Sequence, residues 1–169
     1  MYAHKYVIHL LLFMLSMVTP IGAQASAQAQ LEASCNPLEE FNAVPLGGEV
    51  NVCFSLRGFD TPQYRDKTFD IYLGVRPPQE EALWFISTSG KLFKNDGVNF
   101  HEVVAPYLAN VQLSDGKGVV FDLQLPTDIN MVGEYTFYAI VVAAGETDVL
   151  NSKNWVGNLT QTTVLVTRL

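Results

Sequence analysis

The sequence predicts an all-β sandwich, and three observations carry that expectation. Between Gly133 and Gly145 runs a stretch dominated by aromatic and β-branched residues, Tyr135-Thr136-Phe137-Tyr138 and Ile140-Val141-Val142. Such side chains suit a pleated, half-buried surface. Glu49–Leu56, Thr68–Val75 and Gly118–Leu125 alternate apolar and polar with period two, the pattern of strands with one face in a core. Turn signals recur at the spacing of about 8–12 residues typical of sandwiches. The expected architecture is an antiparallel sandwich of about seven to eight short strands.

The elements follow in order. Pro37 and Gly47-Gly48 bracket Leu38–Pro45, a short edge strand. In Glu49–Leu56, Val50, Val52, Phe54 and Leu56 face one way, and Asn51, Cys53 and Ser55 face the other. Arg57–Lys67, with Gly58, Pro62 and several charges, is a loop. Thr68–Val75 buries Phe69, Ile71, Leu73 and Val75, and Pro77-Pro78 ends it because neither can donate to a ladder. Leu83–Thr88 and Lys91–Lys94 form a hairpin across Ser89-Gly90. Asn95–Asn110 lacks periodicity and crosses between sheets. Gly118–Leu125 carries Val119, Phe121, Leu123 and Leu125 on one face. Gly133–Gly145 is the central strand, Glu146–Leu159 a polar excursion, and Thr160–Leu169 the closing strand.

The N-terminus has the three-part layout of a secretory signal peptide. Lys5 is the positive region, and Tyr6–Val18 is an apolar run interrupted by His9 and Ser16. Pro20 and Gly22 precede the small-residue sequence Ala23-Gln24-Ala25-Ser26-Ala27. Ala25 is the expected last residue removed, with Ala23 and Ala27 as alternatives. The run is shorter than the ~20 residues of a spanning helix, which sets an uncleaved anchor second. The division is therefore a signal peptide over 1–25, a flexible lead over 26–36 and one domain over 37–169. The expected location is secreted or periplasmic.

Of 10 basic and 17 acidic side chains, Lys5 alone leaves with the leader, so the mature chain carries nine and 17, net −8. An acidic chain is a poor match for nucleic acid or anionic lipid, which require clustered Lys and Arg. Cys35 and Cys53 reach an oxidising compartment, so a disulfide is expected, with two unlinked thiols as the alternative. The bond would strap the N-terminal segment across the outside or edge of the sheet.

Gly133-Glu134-Tyr135, with apolar Phe137 two positions on, resembles the tyrosine corner of immunoglobulin-like domains, in which Tyr135 would reach back to an upstream backbone group. Three pieces in order extend the likeness: Trp84-Phe85-Ile86 with Ser89-Gly90, Val104–Val111, and Gly133–Ala139 followed by Asn154-Trp155. Together they span roughly residues 45 to 168 and resemble an uncharacterised immunoglobulin-like, fibronectin-III-like β-sandwich module of bacterial secreted and surface proteins. The resemblance implies a fold and a compartment but no reaction. Cys35 and Cys53 lie too close in sequence to be the inter-sheet pair of an antibody domain.

Catalytic chemistry finds little to work with. His4 and His9 leave with the leader, and the one remaining imidazole, His101, cannot make a multi-histidine metal site. No Gly-x-Ser-x-Gly turn presents a nucleophile, and no glycine-rich loop cradles phosphate. Glu80-Glu81 and Asp66/Asp70 are the carboxylates a glycosidase would need. The alternative gives such acidic residues to solubility. Asn95-Asp96-Gly97 and Ser114-Asp115-Gly116 read as turns, not calcium loops. No cofactor or metal is expected.

What remains is the second face of the central strand. If Tyr135, Phe137, Ala139 and Val141 enter the core, Thr136, Tyr138, Ile140 and Val142 point away. Either Phe100–Leu108 or the Asn154-Trp155 loop covers this apolar face, or it binds a partner; Tyr138, Ile140 and Trp155 are the candidate binding residues. The expected function is a non-catalytic exported module working through contact with another envelope or extracellular protein. The alternatives are a carbohydrate-binding module, motivated by Trp84, Trp155, Tyr64 and Tyr107, and an unrecognised hydrolase.

Overall fold

The computed structural model describes residues 26–32, 43–89, 91–94, 104–124, 127 and 131–168. The leader over 1–25, Cys35, Asn95-Asp96-Gly97 and His101 lie outside them. Among the described residues there are ten strands: β1 (Gln28–Glu32), β2 (Ala43–Pro45), β3 (Glu49–Arg57), β4 (Thr68–Arg76), β5 (Trp84–Ile86), β6 (Leu92–Lys94), β7 (Leu108–Gln112), β8 (Gly116–Gln124), β9 (Gly133–Ala143) and β10 (Thr160–Thr167).

They form two layers, an all-β sandwich. One sheet has the order β1-β3-β8; the other has seven strands, β2-β10-β9-β4-β5-β6, with β7 also paired to β4. The far edge of β4 is shared: Thr68–Ile71 faces β7, and Leu73–Val75 faces β5. Pairing is antiparallel except for β2, which runs parallel to β10. The long central strand β9 is flanked on both sides, by β4 and β10, as its apolar content requires.

The inter-sheet core is built from the alternating residues. Val50, Val52 and Phe54 of β3 meet Phe69, Ile71, Leu73 and Val75 of β4, Tyr135, Phe137, Ala139 and Val141 of β9, and Val164 and Val166 of β10. Near the start of β9 the Tyr135 hydroxyl donates to the Met131 carbonyl at 3.0 Å, so the phenol is buried without an orphan polar group. Burial pushes the Tyr135 phenol above its ordinary pKa and keeps it a donor.

Three expectations are corrected. The first concerns the lead over 26–36. Gln28–Glu32 forms β1, paired with β3 from Gln28↔Arg57 to Glu32↔Cys53. Its sequence, Gln-Ala-Gln-Leu-Glu, is too short and too polar to announce a strand, and backbone pairing to an edge supplies what side-chain burial does not. The strand count rises for the same reason at β7, where Leu108–Gln112 pairs with β4 although its side chains are largely exposed. The second concerns Cys53. It lies on the face of β3 opposite Val52 and Phe54, yet it is 0% exposed. Alternation assigned a direction correctly but not a burial, because that face is not solvated at this position. No free cysteine occurs among the described residues, and the pairing with Cys35 lies outside them.

The third concerns Asp70, read as one of the acidic residues that serve solubility. It lies in β4 and is 7% exposed. Its two oxygens accept from the Asn110 amide at 2.7 Å and the Gly145 amide at 2.9 Å, tying β7 and the turn after β9 to one strand. Both donors belong to residues with positive φ, +55° at Asn110 and +78° at Gly145, so the carboxylate satisfies amides that a ladder cannot reach.

Candidate functional site

β4 and β9 are buried on both faces. Outside the seven-stranded sheet, Tyr72, Phe85, Ile140 and Val142 pack with Val104 and Val149, and Leu83 and Trp155 lie against them. Two loops make this cover. Val104 arrives on the segment before β7; because β6 and β7 both belong to the seven-stranded sheet, the expected crossing between sheets over Asn95–Asn110 is not made. The Tyr107 amide anchors this segment to the Ile71 carbonyl at 2.7 Å, and the Thr88 hydroxyl anchors it by donating to the Tyr107 carbonyl at 2.7 Å. Val149 and Trp155 arrive on the polar excursion after β9.

That excursion carries its own scaffold of short-range hydrogen bonds. The Glu146 carboxylate accepts from the Asp148 amide at 2.7 Å. The Asp148 carboxylate accepts from the Asn151 side-chain amide at 3.0 Å, and its carbonyl from the Asn154 side-chain amide at 3.1 Å. Asn151 caps the 3-10 turn Ser152–Asn154 by accepting from the Lys153 amide. The result fixes Trp155: it bridges to Val142, and its indole N–H donates to the Val149 carbonyl at 2.7 Å. The Val156 amide closes the return on the Val141 carbonyl at 2.8 Å.

The cover is incomplete. A pocket of about 310 Å³ opens between the sheet and the excursion. Its floor follows from register. Gly74 pairs with Tyr138 on one side and Phe85 on the other, so the row across β9, β4 and β5 has a missing side chain at its centre. A Cβ on Gly74 would stand 3.1 Å from Leu83 and 3.4 Å from the Trp84 carbonyl, leaving little space for any substituent. Tyr72 and Ile140 wall the next row, and Trp155 closes one end. Leu150 and Leu159 stand at the rim, 57% and 46% exposed, and Arg76 and Glu81 also line it. Neither of these two charges is in an ion pair among the described residues. Burial, and secondarily the Asp70 carboxylate, pushes the Tyr72 phenol above its usual range.

The structure therefore brings Tyr138, Ile140 and Trp155 onto one pocket, Tyr138 half-buried and Ile140 buried. Sequence reasoning missed Gly74, Tyr72, Leu150 and Leu159. The available signal was the pair of leucines, Leu150 and Leu159, in the excursion after the central strand. The four aromatics that suggested a sugar platform are not brought together. Tyr64, Trp84 and Tyr107 pack against the inter-sheet core, and Trp155 lies on the opposite face of the sheet. The Tyr64 ring packs tilted against Phe59 and Phe69 at centroid distances of 5.9 and 6.1 Å. The Trp84 indole N–H donates to Glu80 Oε2 at 2.8 Å, with Lys94 5.4 Å over the ring.

Besides Asp70, Glu80 and Asp115 make structural contacts. The Trp84 indole first, and the Lys94 ammonium after it, hold the Glu80 carboxyl below its ordinary range. Asp115, in the second turn motif, accepts from the Phe59 amide at 2.7 Å and the Asp60 amide at 3.4 Å, and so fastens the turn after β3. Among the described residues no group of three or more His, Cys, Asp or Glu side chains is placed to hold a metal. No helix among them is long and apolar enough to cross a membrane.

No family model matches the chain, and no curated protein matches it. Among solved structures it is similar to a superoxide reductase (neelaredoxin) from Ignicoccus hospitalis, at 13% identity and a TM-score of 0.40, over 85% of this chain and 84% of that one. It is also similar to a CARDB domain from Pyrococcus furiosus in complex with di-metal ions, at 15% identity and a TM-score of 0.38, over 85% of this chain and 94% of that one. A solution structure of the same CARDB domain aligns at 16% identity with a TM-score of 0.33, over 83% and 94% of the two chains. At these scores the likenesses carry no argument about chemistry.

Proposed function

We propose that the chain is an exported, non-catalytic β-sandwich module that acts by protein–protein contact in the cell envelope or outside the cell. The partner's apolar side chain enters the pocket lined by Tyr72, Tyr138, Ile140 and Trp155. The observation that carries this reading is the exposure of Leu150 and Leu159 around an apolar pocket on a face that is otherwise covered. Large apolar side chains at the rim of a concave site give little to folding while they remain in water, and a partner's anchor residue would bury them. Arg76 and Glu81 beside the leucines supply the polar rim of such a contact.

The test is capture from the producing organism's envelope fraction by the mature protein, run beside Tyr138→Arg and Leu150→Asp. Tyr138 is half-buried and Leu150 exposed, so both variants keep the fold, which an unchanged melting temperature verifies. A protein held by the parent and lost from both variants supports the reading. Equal retention by all three excludes this face as the contact. Retention of glycan in place of protein favours the carbohydrate alternative.

A further inference from the structure

Where β1 meets the return into β10, a second pocket of about 250 Å³ opens. Register builds it. Gln28 pairs with Arg57 and Gln30 with Ser55, so four polar side chains form a block on the outer face of the three-stranded sheet, with cross-strand Cβ atoms roughly 5 Å apart. Gly157 lets a third wall approach. A Cβ there would stand 2.8 Å from the Ala27 carbonyl oxygen and 3.5 Å from Gln28 Cα, so the chain passes close enough to set Asn158 and Thr160 beside the block. Among the described residues no carboxylate lines this pocket, although acids outnumber bases 17 to 10 along the chain. Glu32, the next residue on that face of β1, is paired with Lys117. Among the described residues, Gln28, Gln30, Ser55, Arg57 and Asn158 make no ion pair and no side-chain hydrogen bond.

We propose that this pocket binds a monomeric acidic sugar, with its carboxylate on Arg57 and its hydroxyls on the three carboxamides. The Arg57 guanidinium is a planar fork that suits a carboxylate. Gln28, Gln30 and Asn158 each offer a carbonyl acceptor as well as two N–H donors, and the Ser55 hydroxyl takes both roles. An inorganic anion chiefly accepts and would leave those carbonyls unserved, whereas sugar hydroxyls donate and accept. Leu159, exposed at the edge, gives the C–H face of a ring an apolar neighbour. The volume lies below the roughly 300–1,000 Å³ of drug-sized sites, which favours a single ring over a polymer. None of Trp84, Trp155, Tyr64 and Tyr107 lines it, so the site owes nothing to the aromatics.

The test is an NMR titration of the folded protein with glucuronate, with glucose and inorganic phosphate as separate arms at fixed ionic strength. Saturating shifts at the amides of 28–30, 55–57 and 158–160 are expected with glucuronate, and weaker binding of the other two. Arg57→Gln, an exposed change at the end of β3, should weaken glucuronate by roughly tenfold or more, as loss of a charged hydrogen bond predicts. Gln30→Ala should weaken it by less. Tyr138→Arg, on the other pocket, should bind glucuronate as the parent does, which separates this site from the protein contact proposed above. Glucose bound as tightly as glucuronate removes the role of Arg57, and phosphate bound as tightly removes that of the carboxamides; either overturns the proposal. So does the absence of saturating shifts at these amides, or equal affinity in an Arg57→Gln protein whose spectrum is otherwise unchanged.

Discussion

Asp70 shows how one residue can hold the margins of a sheet. Its carboxylate accepts amides from β7 and from the turn after β9, 40 and 75 positions away in sequence. Asp70→Ala would leave both N–H groups without their acceptor. A charged hydrogen bond contributes about 1.5–3 kcal/mol, so a loss of about 3 kcal/mol is expected in urea unfolding. Asp115 makes the same kind of contact in an exposed setting, with a measurable pH signature. The Gly58 amide chiefly, then those of Phe59 and Asp60, hold its carboxyl below the ordinary range. A depressed folded pKa stabilises above the unfolded value and is lost as pH falls through the folded one. The stability gap between the parent and Asp115→Asn should therefore be full at neutral pH and close below about pH 4. A gap constant down to pH 2 would refute that assignment. Neither role was legible in sequence. An isolated Asp in a strand and an Asp-Gly turn look like solvated acids until long-range folding brings amides to them.

At the scale of elements, the alternating strands were the legible part. Val50, Val52 and Phe54, Phe69 through Val75, and both faces of β9 read directly from period two, because each strand must choose one side for the core. β1 and β7 were hidden, since edge pairing uses backbone groups that every residue carries. The pocket was half-visible: Tyr138, Ile140 and Trp155 share a face by periodicity and loop position. The placing of Gly74 between Tyr138 and Phe85 depends on a register across three strands that one sequence does not encode locally. The excursion that bounds it is an element in its own right. Trp155→Ala would uncover Val142 and leave the Val149 carbonyl without its indole donor. Because Trp155 is only half-buried, a loss of about 2 kcal/mol is expected, below the range for a buried tryptophan, and visible as a lower urea midpoint. Partner capture and stability would then fall together. This makes Trp155 a poor probe of binding and Tyr138 a good one. A separate covalent strap is proposed between Cys35 and Cys53. Reduction should lower stability by about 3 kcal/mol and add one hydrogen to each sulfur in the intact mass.

At the scale of the whole molecule the two sheets are unequal, and stability should be distributed accordingly. β3, β4 and β9 each have neighbours on both sides and core residues on at least one face. β4 and β9 are covered on their second face as well. β6 pairs on one side only and has mostly exposed side chains, and β7 has three pairings with β4 across a register shift. Opening an amide in β4 or β9 requires separating both layers, so its exchange should proceed only by global unfolding. Opening β6 or β7 exposes little apolar surface and breaks few bonds, so exchange there should be faster by orders of magnitude and insensitive to mutations in the core. Native-state hydrogen exchange under increasing urea checks this. Amides of β4 and β9 should converge on a single isotherm with the full denaturant slope, while those of β6 and β7 stay flat. If β9 exchanged through a shallow local opening, the outer cover made by Val149 and Trp155 would be a loose lid. Tyr138 would then stand on a mobile surface, which is a weaker platform for a partner than the fixed pocket that the excursion's hydrogen bonds hold in place.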